Sequence, residues 1–207
     1  MRPIIIVLLT ATLAIIAPSL VPPASAAETP ASGPVAQWYT FHGTVARTGW
    51  AAGPAPTHND TLWTFDAQGS VQSSPVISGG ALFIGADSGR LFAISPSTGQ
   101  ELWNRSFGEF ATVQSTPAIH GDTLFVGCQN GSGSGLFALN ATDGSVIWSI
   151  PDDTGIAASP AYKDGTVYSA SLNGTVLAAN ASTGEVLWLT VYEGEVWTSP
   201  ALDDNCL

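Results

Sequence analysis

The chain is poor in positive charge: 5 Lys and Arg stand against 16 Asp and Glu in 207 residues, a formal net charge of −11. Such a surface repels phosphate backbones and anionic headgroups, which excludes nucleic acid and anionic membranes as partners. Charge of either sign is scarce, at 10% of residues, and forms no acidic block or tail; solubility rests on Ser, Thr, Asn and Gly. Cysteine is limited to Cys128 and Cys206, and no Cys-x-x-Cys or His/Cys cluster exists to build a structural zinc site. His42, His58 and His120 are isolated and lack ligand spacing, so no catalytic or metal role is assigned to them. Nor is there an amphipathic helical stretch in the body of the chain.

Long apolar runs are missing as well, except at the start. Arg2 precedes an apolar run from Ile4 to Ile16, followed by the small-x-small site Ala24-Ser25-Ala26. This is the pattern of a cleaved secretory leader over residues 1–26, with the mature chain beginning near Ala27. The run falls short of the roughly 20 residues that cross a bilayer, and no later segment is long and apolar enough. The expected product is exported and soluble, at the cell exterior or in the periplasm. In that setting Cys128 and Cys206 are able to pair. Alternatively Cys128 is a small core residue, because it fills the place that Ala86 and Ala170 take in neighbouring units.

What is present is a repeat. Trp63, Trp103, Trp148 and Trp188 recur at spacings of 40, 45 and 40, and Pro75, Pro117, Pro160 and Pro200 at 42, 43 and 40, each Pro behind a Ser or Thr. Two residue types sharing one period define a structural unit. In the unit at 70–106, Val71 to Ile77 reads as a strand, Ala81 to Ala86 as a second, Arg90 to Ile94 as a third and Gln100 to Trp103 as a fourth, joined by tight turns. The unit recurs over 112–150 and 155–191, and a partial one opens at residue 196. Four-stranded antiparallel meanders with two apolar faces bury those faces against each other when arranged around an axis. The expected architecture is therefore an all-β β-propeller over residues 61–207, with three complete blades, preceded by an extended segment at 27–60.

The sharpest local pattern runs from Ala93 to Trp103 and is repeated without gaps from Ala138 to Trp148 and from Ala178 to Trp188. Gly99, Gly144 and Gly184 take the turn position that favours φ > 0, and the indoles spread over a neighbouring blade. This Ala-x-Asn/Asp-x-x-Thr-Gly-x-x-x-Trp pattern resembles the tryptophan-docking motif of the pyrroloquinoline-quinone (PQQ) type propeller repeats. The leading strings Gln37 to Gly43, Ala46 to Gly49 and Leu62 to Phe65 also resemble exported members of that superfamily. The resemblance implies one of two classes: quinoprotein dehydrogenases, whose eight blades carry PQQ and calcium, or non-enzymatic binding scaffolds such as the propeller lipoprotein of outer-membrane assembly.

The dehydrogenase class requires a calcium cage, a catalytic carboxylate and, in its alcohol-oxidising branch, an adjacent Cys-Cys pair, which is absent here. Asp87, Asp122, Asp143, Asp152, Asp153 and Asp164 fall in turns, where Asp is expected for its hydrogen bonding to nearby amides. Candidate channel-facing residues come from the first strand of each blade: Gln72, Gln114, Ala157 and Trp197, then Ser73, Ser115, Ala158 and Thr198. Trp197 offers a stacking face or serves as packing. Six sequons, at Asn59, Asn104, Asn130, Asn140, Asn173 and Asn180, accept glycans in a host with the machinery, and Asn140 and Asn180 read first as turn residues.

Leu62 to Phe65 reads as a terminal strand and Val196 to Leu202 as the opening strand of a further unit. Three blades fall below the four to eight of a closed ring, so truncation, or cover by other chains, is expected. The primary expectation is an exported non-catalytic scaffold contacting protein or glycan, with no cofactor; a separate, structural reading is self-association through open blade faces. The alternative is the amino-terminal part of a PQQ- and calcium-dependent dehydrogenase.

Overall fold

Four short apolar runs per unit become four strands. The computed structural model describes residues 38–44, 46, 47, 49 and 59–202. The expected leader, His58 and Cys206 with its possible pairing lie outside the described residues. The first sheet is β1 (Val76–Ser78), β2 (Ala81–Ala86), β3 (Arg90–Ile94) and β4 (Glu101–Ser106). The second is β5 (Ala118–His120), β6 (Thr123–Cys128), β7 (Gly135–Asn140) and β8 (Val146–Pro151), and the third β9 (Ala161–Lys163), β10 (Thr166–Ala170), β11 (Thr175–Asn180) and β12 (Val186–Val191). Each is an antiparallel meander in chain order, with no helix among the described residues. A bulge recurs between the third and fourth strand of every sheet, at Ala93/Ile94, Ala138/Leu139 and Ala178/Ala179.

Both faces of the second strand are buried, because side chains alternate across a strand and each blade has a neighbour on either side. Phe83 packs with Val113, Leu124 and Val126 between the first and second sheets. Leu82 and Ile84 point the other way, onto Trp63 and Phe65. Between the second and third sheets lie Phe125, Leu136, Trp148, Ile156, Val167 and Leu177. Each such large side chain contributes about 1.5–3 kcal/mol of burial. Three sheets stacked face to face in this way are successive blades of a β-propeller. The far face differs, since all six residues of β12 are exposed.

Three expected strands are corrected. The run Val71–Ile77 is strand only from Val76, because Pro75 has no N–H to give a ladder and the Ser74 amide donates sideways to Thr116 Oγ1 of the next blade (2.9 Å). Leu62–Phe65 is outside any sheet and is held by side chains, with Phe65 edge-on to Phe92 at 5.1 Å. Residues 196–202 are likewise not strand: the Ser199 hydroxyl accepts the Ser159 amide and the Pro200 carbonyl accepts Arg47 Nε. The fourth strand of the first blade also runs on past Trp103 to Ser106.

Within the leading segment, Trp38 bridges Ile77 of β1, the Ile119 amide of β5 donates to the Tyr39 carbonyl, and Arg47 reaches the Ser159 carbonyl. The described residues 38–44, 46 and 47 therefore form a strap that crosses the inner edges of successive blades. Turns at Thr40–Gly43 and Thr44–Arg47 fold the strap onto itself.

Candidate functional site: the axial mouths

The blades are held in register by two repeated contacts. Trp63 Nε1 donates to the Pro96 carbonyl (2.9 Å), Trp103 to Ala141 (3.0 Å) and Trp148 to Ala181 (2.9 Å), each in the turn of the following blade. The indoles lie against Gly99, Gly144 and Gly184, where an added Cβ would come within 2.6, 2.8 and 2.8 Å of the ring. These glycines sit at φ +71°, +70° and +75°, so both the turn and the indole require them. Trp188 has no such cover among the described residues and is 41% exposed, against 9% for Trp148.

The second contact lies nearer the axis, at the residue before each repeat proline. The Ser74 amide donates to Thr116 Oγ1, the Thr116 amide to Ser159 Oγ and the Ser159 amide to Ser199 Oγ, at 2.8–2.9 Å. One position thus bonds to its own counterpart from blade to blade. Pro75, Pro117, Pro160 and Pro200 follow this link and end any competing use of the local amide in a ladder. One residue earlier, Ser73 Oγ accepts the Gly85 amide (3.2 Å) and Ser115 Oγ the Gly127 amide (2.8 Å).

The sequence candidates Gln72 and Gln114 come together at one end of the inner strands. Gln72 Nε2 donates to Asp87 Oδ2 (3.0 Å) and Gln114 Nε2 to Asp87 Oδ1 (2.9 Å), so one carboxylate joins two blades. Gln129 Nε2 donates in turn to Gln114 Oε1. Gln129 is buried, Gln114 and Asp87 are half-buried, and Gln72 faces solvent. This polar ladder stops at the third blade, where Ala157 takes the Gln position and the Ser171 hydroxyl donates to Asn173 Oδ1. Trp197, the remaining candidate, does not join it; the indole is 58% exposed and donates to Glu195 Oε2 (2.8 Å).

Asp87, which sequence reasoning left in a turn, and Gln129, which it did not single out, are therefore part of the ladder. The repeat alignment that pairs Ala86, Cys128 and Ala170 reaches them one column further on, at Asp87, Gln129 and Ser171. Phe110 was missed as well. It stands on the link between β4 and β5, at the same end of the strands, 85% exposed and at φ +62°. Its column holds Gln68, Asp153 and Glu193 in the other links, with Gln68 also left-handed at φ +58°, so an apolar ring in an otherwise polar column was the available signal. A left-handed backbone is unfavourable for a bulky residue, and this one places an aromatic ring in water.

At the opposite end lies the strap. The Arg47 guanidinium donates to the carbonyls of Pro200 (2.7 Å), Phe41 (3.2 Å) and Ser159 (3.1 Å), and burial lowers its pKa below the usual guanidinium value. His42 packs on Phe41 and His120 stacks on Tyr162 at 4.1 Å. Asn140 and Asn180 use their side-chain oxygens to accept turn amides. The Ser145 side chain and amide hold the Asp143 carboxyl below its usual pKa. Cys128 is fully buried, and desolvation pushes its thiol up to about 12. Among the described residues no group of three or more His, Cys, Asp or Glu is placed to hold a metal ion.

Comparison with known proteins gives a consistent result. The family model described as outer membrane protein assembly factor BamB matches residues 55–155 and 137–207. The serine/threonine-protein kinase AfsK of Streptomyces griseus is 29% identical over 169 residues, 77% of this chain and 21% of the kinase. The outer membrane protein assembly factor BamB of Yersinia pestis is 30% identical over 137 residues, 61% of this chain and 35% of that protein. The chain thus spans about a fifth to a third of the length of these relatives. The crystal structure of quinohemoprotein alcohol dehydrogenase from Comamonas testosteroni superposes with a TM-score of 0.61 over 74% of this chain and 27% of that one, at 21% identity, a likeness of fold.

Proposed function

The chain belongs to the PQQ-like repeat family described as outer membrane protein assembly factor BamB, and on that premise we propose that it is an exported, non-catalytic scaffold that binds a protein partner. The observation that carries the reading is Phe110, a bulky residue in a left-handed backbone conformation with 85% of its surface in solvent. Strain of that kind persists where surrounding structure over-determines it, and it clusters at binding sites. The Phe107 amide bonded to the Gly89 carbonyl and the Thr112–Gln129 bridge fix both ends of the link that carries it. Beside it the Gln72–Asp87–Gln114–Gln129 ladder offers amide groups for hydrogen bonding. An aromatic anchor with a polar surround is the usual composition of a protein contact surface.

The donor set of this ladder does not fit calcium. Calcium takes six to eight oxygens with several carboxylates among them, whereas the ladder supplies Asp87 alone, both of its oxygens already accepting amide N–H groups. The relative BamB is named as an assembly factor, which supports protein contact as the role of the shared blades.

The test is a photo-crosslinking phenylalanine analogue at position 110, expressed in cells with the leader intact. A discrete protein adduct in the envelope or external fraction is expected, and none from the analogue at Leu102, which is exposed on β4. Equal labelling from both positions refutes the surface, and a chain retained in the cytosol with residues 1–26 uncleaved refutes the export.

A further inference from the structure

We infer that the groove at the strap-covered mouth is a binding site for a neutral saccharide. It stands apart from the protein-contact surface, at the other end of the inner strands. The groove measures about 650 Å³ and is walled by Tyr39 and Thr40 of the strap, by His120 at the end of β5, and by Tyr162, Lys163 and Asp164 of the third blade. That volume is in the range of small-molecule sites.

Thr40 is 3% exposed and its Oγ1 has no hydrogen-bond partner. A buried hydroxyl left unpaired is unfavourable, so a lining residue of this kind favours a ligand bearing donors and acceptors. Phe125, Tyr162 and His120 form a continuous ring stack, with centroids 5.9 and 4.1 Å apart, and His120 is its exposed end. The face of an aromatic ring carries partial negative charge, which suits the C–H face of a pyranose. Lys163 and Asp164 set opposite charges side by side on the rim, which favours a ligand of no net charge over an anion or a cation. Addition of a peptide strand is disfavoured, because the strap already occupies the edges: Trp38 bridges Ile77, and the Tyr39 carbonyl takes the Ile119 amide.

The test is titration of the intact chain with cellotriose, maltotriose and chitotriose, with trigalacturonate and trilysine as charged probes, followed by calorimetry and by the ring resonances of His120 and Tyr162. At least one neutral trisaccharide is expected to shift both rings. Thr40→Val is expected to weaken that binding about tenfold while leaving the melting temperature unchanged or raised, since it removes only the unpaired hydroxyl. His120→Ala is expected to weaken it as well. The proposal is overturned if none of the three sugars moves the rings, if only a charged probe does, or if Thr40→Val binds as the parent does.

Discussion

Replacing Gly144 by Ala tests the contact that sets blade against blade. The residue sits at φ +70°, and its new Cβ would lie 2.8 Å from Trp103 Cε3 and 2.9 Å from Cζ3. The left-handed conformation costs a non-glycine residue about 1–2 kcal/mol. Atoms at 2.8 Å cannot both stay, so the indole must shift from the Ala141 carbonyl that its Nε1 now reaches at 3.0 Å. Loss of that bond adds about 1 kcal/mol, and the total is about 2–3 kcal/mol. Gly79→Ala separates the two causes, because Gly79 sits at φ +58° with nothing within 4 Å of its would-be Cβ. It should cost only the backbone share. Urea unfolding of both variants is the assay, completed by a cycle with Trp103→Ala, in which Gly144→Ala should lose its excess cost. If Gly144→Ala and Gly79→Ala agree within about 0.5 kcal/mol, or the excess survives without the indole, the argument fails.

Three further outcomes are expected. Asp87→Ala removes the acceptor of two glutamine amides, one of them half-buried, and should cost about 1–2 kcal/mol in denaturant unfolding, while Asp66→Ala, whose carboxylate accepts one exposed amide, should cost less than about 0.5 kcal/mol. Arg47→Gln breaks the bonds to the Pro200 and Ser159 carbonyls, so amide exchange of the strap residues 38–47 should speed up with no change in the blade strands, read by hydrogen-exchange mass spectrometry. Burial raises the Cys128 thiol from 9.0 to about 12 in the folded state. The folded protein therefore holds its proton where the unfolded chain has lost it. That contribution is complete below pH 9 and declines as pH rises towards 12, by up to about 1.4 kcal/mol per unit. A Cys128→Ala variant should show a flatter stability profile over that window, and a parallel decline in both proteins would count against the assignment.

Much of the ring was legible because its contacts repeat. The Trp and Gly spacings located the inter-blade seams, and the uninterrupted apolar run Ala81–Ala86 fits a strand buried on both faces. Strand limits near the axis were less legible. Val71 to Ile77 carries strand-forming residues, yet the Ser74 amide is committed to Thr116 in the next blade, about one repeat away in sequence, and local pattern carries no trace of a bond over that distance. The same limit explains Asp87. Asp in a turn normally bonds to its own loop, and only the closing of blade on blade brings Gln72 and Gln114 onto its two oxygens. The strap was beyond reach for a different reason: Arg47 bonds to backbone carbonyls, and a carbonyl has no sequence signature.

The third blade shows how such a ring tolerates change. Gly85 and Gly127 lie so close to the next blade that an added Cβ would meet Val113 and Ile156 at 2.4 Å. Their counterpart is Ser169, which is fully buried with an unpaired hydroxyl, and the serine that bonds those glycine amides in the first two blades is replaced by Ala158. The hydroxyl has in effect moved from the link to the strand. The Ser/Thr–Pro bond survives the exchange, with the Ser159 amide on Ser199 Oγ at 2.8 Å. Stitches that stay the same thus hold the axis while adjacent columns vary. Those columns hold Gln72, Gln114, Ala157 and Trp197 in one and Asp87, Gln129 and Ser171 in the other. At the exposed positions of these columns, Gln72 and Trp197, a blade-specific property can change without disturbing the indole and hydroxyl contacts that keep the blades in register, so substitutions there should alter binding more than stability, and substitutions at the Trp and Gly positions the reverse.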